Sequence, residues 1–282
     1  SAPVDEPPVA WGVVPAGSAR PSLGWAEATV VLVAIDLVFA AFVAIQVAYL
    51  FGGLDTLAAS GQTYSEYATR GFHELVAVAI LAGAIILSLE ALVVDRRPRI
   101  YVAAATCLLI LTAVVLTSAF LRLRLYQDAY GWTELRFYVF TAIVGLGLSI
   151  GLVVVLLIRD QSRWAIHGLG LIVLFVAVGV NLVGPHAFVA GQNLARAADP
   201  TLVPPGGKSG LDARYVLGLS DDAVPTLVDA LSRIPEPDRS TIADGLRRRA
   251  AEVAADPSLD SPAAWNLARS QARAALEAVP PR

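Results

Sequence analysis

Apolar residues dominate the middle of the chain and become sparse towards its C-terminal end. Five apolar runs cover approximately residues 28–51, 75–94, 100–121, 135–158 and 164–184. Each run can cross a hydrocarbon layer of roughly 30 Å as a helix that rises about 1.5 Å per residue. The pattern therefore predicts an all-α fold, a polytopic membrane helix bundle of five transmembrane helices, with the lipid bilayer as its immediate partner.

More polar segments flank this bundle. Residues 1–27 are rich in Pro, Ala and Gly and predict a flexible leader or linker, followed by the transmembrane domain at 28–184. Residues 185–210 predict a second linker. In 211–282, helix-start signals such as Ser220 before two aspartates, and Pro262 after Ser261, predict a small soluble α-helical tail.

Composition agrees with a membrane protein. Apolar residues make up 56% of the 282 positions and charged residues 16%, against about 45–50% and about 25% in soluble domains. A net charge of -3 gives no basis for a nucleic-acid partner. Cys107 is the only cysteine, so no intramolecular disulfide can form. Methionine is absent, from which we expect residue 1 to lie inside a longer protein.

The distribution of arginines predicts an orientation. An odd number of spans places the two ends of the bundle on opposite sides of the membrane. The turns at 95–99 and 159–163 are short and mostly basic, and short basic loops favour the cytoplasmic side. We therefore expect a bacterial cell-membrane protein with a cytoplasmic N-terminus and an extracytoplasmic tail.

The first polar cluster lies where the second span begins. Glu66, Arg70, His73 and Glu74 are spaced i, i+4, i+7 and i+8, so they share one helical face. Two interpretations remain open: an interfacial ion network that fixes helix register, or a ligand site. One histidine beside one glutamate is too few for a zinc site, so we expect no metal and no cofactor.

The second polar cluster precedes the fourth span and contains Arg122, Arg124, Tyr126, Asp128 and Tyr130. Gly131 permits a break after it, and Thr133 can cap the next helix. Both clusters lie on the side of the tail. Together they predict a polar Arg/Glu/Tyr vestibule suited to an anionic group such as a phosphate or carboxylate.

Gln46 and the arginines predict contacts between spans. Gln46 shares a helical stripe with three aromatic residues, which favours either a helix–helix interface with one hydrogen bond or a ligand contact. A partly desolvated arginine without a partner is strongly destabilising. We therefore expect Arg70 or Arg122 to bond to an acid or a tyrosine of a different span.

Three stretches, 42–53, 64–75 and 122–136, resemble bacterial membrane proteins of the domain-of-unknown-function 4153/4173 type. The resemblance extends through Asn193 and the segments 219–225 and 265–269. It implies a polytopic helical fold and no particular reaction. It also implies these functional positions: Gln46, Glu66, Tyr67, Arg70, Gly71, Arg122, Tyr126, Tyr130, Gly131, Thr133, Arg136 and Asn193. His73 replaces an aromatic residue of the family.

Two functions of different classes follow. The first is a non-enzymatic envelope protein: a transport-like binder of an anionic small molecule or lipid headgroup, or a scaffold for other membrane proteins. The second is an integral membrane enzyme that acts on a lipid-linked or anionic substrate, with Glu66 or Asp128 as general base. Loss of turnover without loss of binding, after one carboxylate is neutralised, would distinguish the enzyme from the binder.

Overall fold

Five long helices form the bundle in the computed structural model, which describes residues 23–51, 72–93, 98–256 and 265–279, apart from the side chains of 47–51 and 72–74. These helices are long and apolar enough to cross a membrane. They are α1 Trp25–Phe51, α2 Phe72–Leu92, α3 Arg99–Tyr130, α4 Glu134–Ile158 and α5 Ala165–Val183. The predicted all-α bundle with five membrane helices is confirmed.

Successive membrane helices run in opposite directions. We call the side where α1 begins the N-terminal face and the side where α3 ends the tail face. On the N-terminal face, the Leu23 N–H donates to the Leu92 carbonyl at 3.1 Å, which joins the start of α1 to the end of α2. The buried Tyr101 hydroxyl donates to the Glu90 carboxylate at 2.9 Å and joins α2 to α3.

Helix α3 is the centre of the bundle and contacts α1, α2 and α4. Two apolar clusters hold these helices together, one containing Leu32, Ile86 and Leu108 and the other Leu75, Leu116 and Ile143. Because lipid tails are as apolar as these side chains, close packing rather than removal from water stabilises the contacts. Helix α5 contacts α4 and leaves Leu171, Val173 and Phe175 exposed, as expected for a lipid-facing helix.

Helix α3 is longer than a membrane crossing requires. Its 32 residues extend about 48 Å, whereas the hydrocarbon layer is roughly 30 Å thick. The polar residues Arg122, Arg124 and Asp128 all lie in its last third. The excess length therefore lies mainly on the tail face, where it projects towards the soluble part of the chain.

Five α-helices follow the bundle in the described residues: α6 Pro185–Ala198, which connects the bundle to the tail, and the tail helices α7 Ala213–Leu217, α8 Val224–Ala230, α9 Asp238–Ala255 and α10 Leu267–Glu277. Their buried core includes Leu227, Ile242 and Leu246. Trp132 and Phe137 of the bundle belong to the same cluster. The tail and the tail face of the bundle thus share one hydrophobic core.

Helix α6 departs from the prediction that residues 185–210 are a linker. Residues 185–198 are helical, and Val189, Ala190 and Leu194 on one face are buried between the bundle and the tail. Pro185 stands in the first turn, where it needs no N–H partner. The short apolar stripe becomes evident as a packing face only when both partners are in place.

Candidate functional site

The turn between α3 and α4 requires glycine at its first position. Gly131 has φ 81° and ψ 175°, a region that is essentially restricted to glycine. A Cβ at this position would lie 2.6 Å from Asn193 Oδ1 and 2.7 Å from Arg196 Nη1. Backbone conformation and close approach therefore both exclude a side chain. Thr133 accepts from the Arg136 N–H at 3.4 Å and caps α4, as predicted.

Asn193 of α6 binds the backbone of this turn. Its Oδ1 accepts from the Trp132 N–H at 2.8 Å, and its Nδ2 donates to the Trp132 carbonyl, also at 2.8 Å. Both bonds are buried. A side-chain amide offers the donor and the acceptor that a backbone unit needs, so Asn193 satisfies both polar groups of a residue that is in no helix.

Arg196, which the sequence did not single out, lies one turn after Asn193. Its Nε donates to the Asp128 carbonyl at 3.1 Å, and its Nη2 donates to the carbonyls of Ala129 at 3.1 Å and Lys208 at 3.3 Å. Burial lowers the pKa of this guanidinium, which is 9% exposed. An arginine at i+3 from a predicted site residue, on the same apolar face, was the signal that could have identified it.

Arg136 reaches the same helix end from α4. Its Nη1 donates to the carbonyls of Tyr130, at 3.3 Å, and Gly131. Its guanidinium lies 4.1 Å from the centre of the Tyr126 ring, which is cation–π geometry. The Tyr126 and Tyr130 ring centres are 5.0 Å apart. Four predicted residues, Tyr126, Tyr130, Thr133 and Arg136, are thus brought together at this turn.

The two arginines complete the hydrogen bonding of the α3 C-terminus. The carbonyls of residues 127 to 131 all accept a bond, from the Gly131 N–H, Arg196 or Arg136. The Lys208 N–H adds a bond of 2.8 Å to the Ala129 carbonyl. Positive charge at this end also opposes the negative pole of the helix dipole. Arg136 and Arg196 therefore fasten α4 and α6 to the end of α3.

Arg122 and Gln46 form a separate contact within the bundle. Arg122 Nη2 donates to Gln46 Oε1 at 2.7 Å, which links α3 to α1, and Arg122 is buried. Arg122 precedes Tyr130 by roughly 12 Å of helix, so it does not belong to the turn. Among the described residues this bond joins Arg122 to an amide of another span; whether Arg70 or Arg122 also bonds to an acid or a tyrosine of a different span stays a prediction.

The first polar cluster lies largely outside the described residues. This applies to Glu66, Tyr67, Arg70 and Gly71, while Glu74 lies in α2 with its side chain outside the description. Whether these residues complete the vestibule stays a prediction. Within the described ranges no group of three or more His, Cys, Asp and Glu side chains could hold a metal ion.

A cleft of about 470 Å³ opens beside the α3–α4 turn. Three predicted site residues, Tyr130, Thr133 and Asn193, line its bundle side. Its tail side is lined by residues 208–213, by Tyr215 and Val216, and by Asp238. The cleft therefore lies between the bundle and the tail and has walls from both.

Tyr215 connects the two walls. Its phenolic oxygen accepts from the Glu134 N–H at 3.1 Å, and burial raises the pKa of this phenol. His186 Nδ1 lies 3.2 Å from the Glu134 carboxylate, next to this contact. The first turn of α4 thus lies against α6 and is hydrogen-bonded to α7 at the edge of the cleft.

These features define a polytopic helical membrane protein whose tail is fastened to one face of the bundle. The family model described as "Domain of unknown function (DUF4153)" matches residues 14–230, and the chain belongs to that family. The match includes the five membrane helices, the α3–α4 turn, α6 and all of the residues lining the cleft except Asp238. Searches of curated proteins and of solved structures give no significant match.

Proposed function

We propose that this protein is a non-enzymatic membrane binding protein that holds a small anionic group in the cleft between the bundle and the tail. The observation that carries the proposal is the cleft itself, with Lys208 at its edge and three of the predicted site residues in its wall. A concave site at the boundary of two parts of a fold is a usual place for a small ligand.

The cations at this site favour Lys208 as the anion contact. The Arg136 and Arg196 guanidiniums donate to backbone carbonyls, whereas Lys208 is exposed and no described hydrogen bond or ion pair involves its ammonium. An ammonium has three donors that can turn towards a phosphate or carboxylate. The anionic group would therefore bind at the tail side of the cleft.

The remaining lining supports a ligand that also carries donor groups. Asp212 and Asp238 line the cleft, and carboxylates accept hydrogen bonds but repel a bare anion. Tyr130 and Trp132 provide aromatic surface. A phosphorylated or carboxylated molecule with hydroxyl or amine groups matches this set, whether it is free in solution or forms the headgroup of a lipid.

The catalytic alternative needs a carboxylate that faces the bound molecule. The sequence suggests Glu66 or Asp128 as the general base, and Glu66 lies outside the described residues. Asp128 forms an ion pair with Arg124 at 3.5 Å and does not line the cleft. The acids that do line the cleft are Asp212 and Asp238, and Asp212 already caps α7 by accepting from the Tyr215 N–H at 2.9 Å. Neither acid that the sequence singled out therefore supports catalysis at the cleft, and binding is the function that we propose.

Ligand-induced thermal stabilisation of the purified protein in detergent tests the proposal. The probes are inorganic phosphate, a hexose phosphate, succinate and phosphatidylglycerol, and saturable stabilisation identifies a binder. Lys208→Gln should weaken binding of the active probe about ten- to a hundredfold, the loss expected for one charge-assisted hydrogen bond. The phosphatidylglycerol arm distinguishes a lipid headgroup from a free anion.

Two further variants make the test specific. Ser209→Trp should close the cleft, because Ser209 is exposed in its wall. Arg233→Gln removes an exposed cation of the tail that does not line this cleft, and should leave affinity unchanged. The proposal fails if no probe gives saturable stabilisation, or if Lys208→Gln and Arg233→Gln bind equally well.

A further inference from the structure

A second cavity lies on the outside of the bundle, in the half of the membrane next to the N-terminal face. It is a groove of about 510 Å³ lined by Arg99, Val102, Ala103, Thr106, Cys107, Ile110, Leu111 and Ile158. All but Ile158 come from α3. Ala103 and Cys107 are exposed to the surroundings, so small side chains form the floor and the groove faces the lipid.

The groove exists because α3 and α4 differ in length. α3 has 32 residues and α4 has 25, and the short turn at residues 131–133 keeps their tail-face ends level. α4 therefore ends at Ile158 before it reaches the start of α3. Among the described residues that line the groove, Ile158 is the only one outside α3, so this flank of α3 is open to the bilayer.

The length of the groove indicates what fills it. From Arg99 to Leu111, α3 rises about 18 Å, a little more than half of the roughly 30 Å hydrocarbon thickness. A partner helix lying along α3 would need a groove that continues through both leaflets. A single acyl chain occupies one leaflet and ends near the midplane, as this groove does.

The charge at the open end indicates which lipid is preferred. Arg99 is exposed at the first position of α3, and Pro98 provides no side-chain cap. A cation in the first turn is unfavourable because the N-terminal end of the helix dipole is also positive. An anion bound there would offset the charge of Arg99 and the positive pole of the dipole. Arg159, which follows Ile158, is also exposed, whereas Asp160 is an exposed acid beside it.

We propose that this groove binds an anionic phospholipid, with one acyl chain along the α3 flank from Val102 to Leu111 and the headgroup phosphate at Arg99. The site is separate from the cleft on the tail face and does not depend on the function proposed for it. Basic residues at a membrane boundary select anionic headgroups because a zwitterionic headgroup carries a compensating cation.

The chain contains its own reporter for this site, because Cys107 is its only cysteine and lies in the groove. The rate of Cys107 modification by a small lipophilic maleimide is measured in nanodiscs of phosphatidylcholine, with and without phosphatidylglycerol of the same acyl chains. A bound acyl chain covers the thiol, so phosphatidylglycerol should slow the reaction severalfold. Native mass spectrometry of the same samples should find phosphatidylglycerol retained in preference to phosphatidylcholine.

Paired variants separate the headgroup contact from the groove. Arg99→Gln should abolish both the protection of Cys107 and the lipid preference, whereas Arg163→Gln, a cation of the same face outside the groove, should preserve both. Ala103→Trp should fill the groove and abolish retention. Ile166→Trp, on the exposed side of α5, should leave lipid retention unchanged. Equal modification rates with and without phosphatidylglycerol, or protection that survives Arg99→Gln, would overturn the proposal.

Discussion

Asn193 and Trp132 are joined by two buried hydrogen bonds of 2.8 Å each, from one side-chain amide to one backbone unit. The two residues are separated by 61 positions in the chain. This pair fixes α6, and through α6 the tail, to the turn that ends α3.

Replacing Gly131 by alanine should destabilise the turn. The positive φ alone should cost about 1–3 kcal/mol, and the new Cβ would also displace Asn193 and Arg196. Thermal unfolding in detergent should show a lower melting temperature for Gly131→Ala. Gly179→Ala is the matched control, because Gly179 is helical and a Cβ there meets no atom within 4 Å. Similar melting temperatures for both variants would contradict the expectation.

Replacing Arg196 by methionine should loosen the tail from the bundle. The change keeps an unbranched side chain, shorter than that of arginine, and removes the three bonds to backbone carbonyls. Unpaired buried acceptors should make the variant less stable by about 2–4 kcal/mol. Limited proteolysis between residues 199 and 212 should become faster. Arg233→Met, which loses one exposed bond of 3.5 Å, should be cleaved at the wild-type rate; equal cleavage of both variants would refute the assignment.

Gln46 and Arg122 should be energetically coupled across α1 and α3. A double-mutant cycle with Gln46→Leu and Arg122→Met, measured by unfolding in detergent, should give a coupling of about 1–2 kcal/mol. Thr117→Val provides a control partner for Arg122→Met, because the Thr117 hydroxyl bonds to the Ala113 carbonyl of its own helix. If the effects of Gln46→Leu and Arg122→Met on the free energy of unfolding are as additive as those of the control pair, the bond contributes nothing to stability.

Burial of Tyr215 should make the contact between the bundle and the tail sensitive to alkaline pH. Burial raises the pKa of the Tyr215 phenol, so the unfolded chain ionises first. The stabilisation of the folded state by the neutral phenol is complete below about pH 10, the ordinary pKa of tyrosine. It is lost as the pH rises through the folded-state pKa of Tyr215. Melting temperatures between pH 9 and pH 11 should therefore fall less steeply in Tyr215→Phe than in the wild type. Parallel plots of melting temperature against pH for the two proteins would show that Tyr215 does not cause the loss of stability at alkaline pH.

Labelling should locate the two faces of the membrane. In a Cys107→Ala background, cysteines at positions 98 and 240 should react with an impermeant maleimide from opposite sides, because Pro98 precedes α3 on the N-terminal face and Ser240 is exposed in α9. We expect the residue at 98 to be cytoplasmic. Labelling of both positions from one side would contradict the five-span topology.

The sequence was sufficient for the membrane helices and for the turn. Long apolar runs have one physical solution in lipid, and Gly131 and Thr133 carry local signals for a break and a cap. The partners of the arginines could not be predicted, because a sequence shows that a guanidinium is present and not which carbonyls it will reach. Arg196 and the Ala129 carbonyl that it bonds are 67 positions apart in the chain.

The role of α6 was hidden for a related reason. Its apolar face is short, and it begins with Pro185 and His186, a helix-breaking residue and a polar residue that are both typical of a linker. Burial of Val189 and Leu194 depends on Trp132 and on the tail core at the same time. A segment that packs between two other parts of a fold has no pattern of its own to reveal it.

The direct connection between α5 and α6 has a mechanical consequence. Gly184, with φ 67°, is the only residue between α5 and α6. Neither helix can therefore move far without moving the other. α5 has 19 residues and spans about 28 Å, close to the thickness of the hydrocarbon. Hydrophobic mismatch in a thinner or thicker bilayer would shift or tilt α5. α6 holds Asn193 and Arg196 against the end of α3. A movement of α5 would therefore strain the bonds of these two residues and alter the cleft beside them.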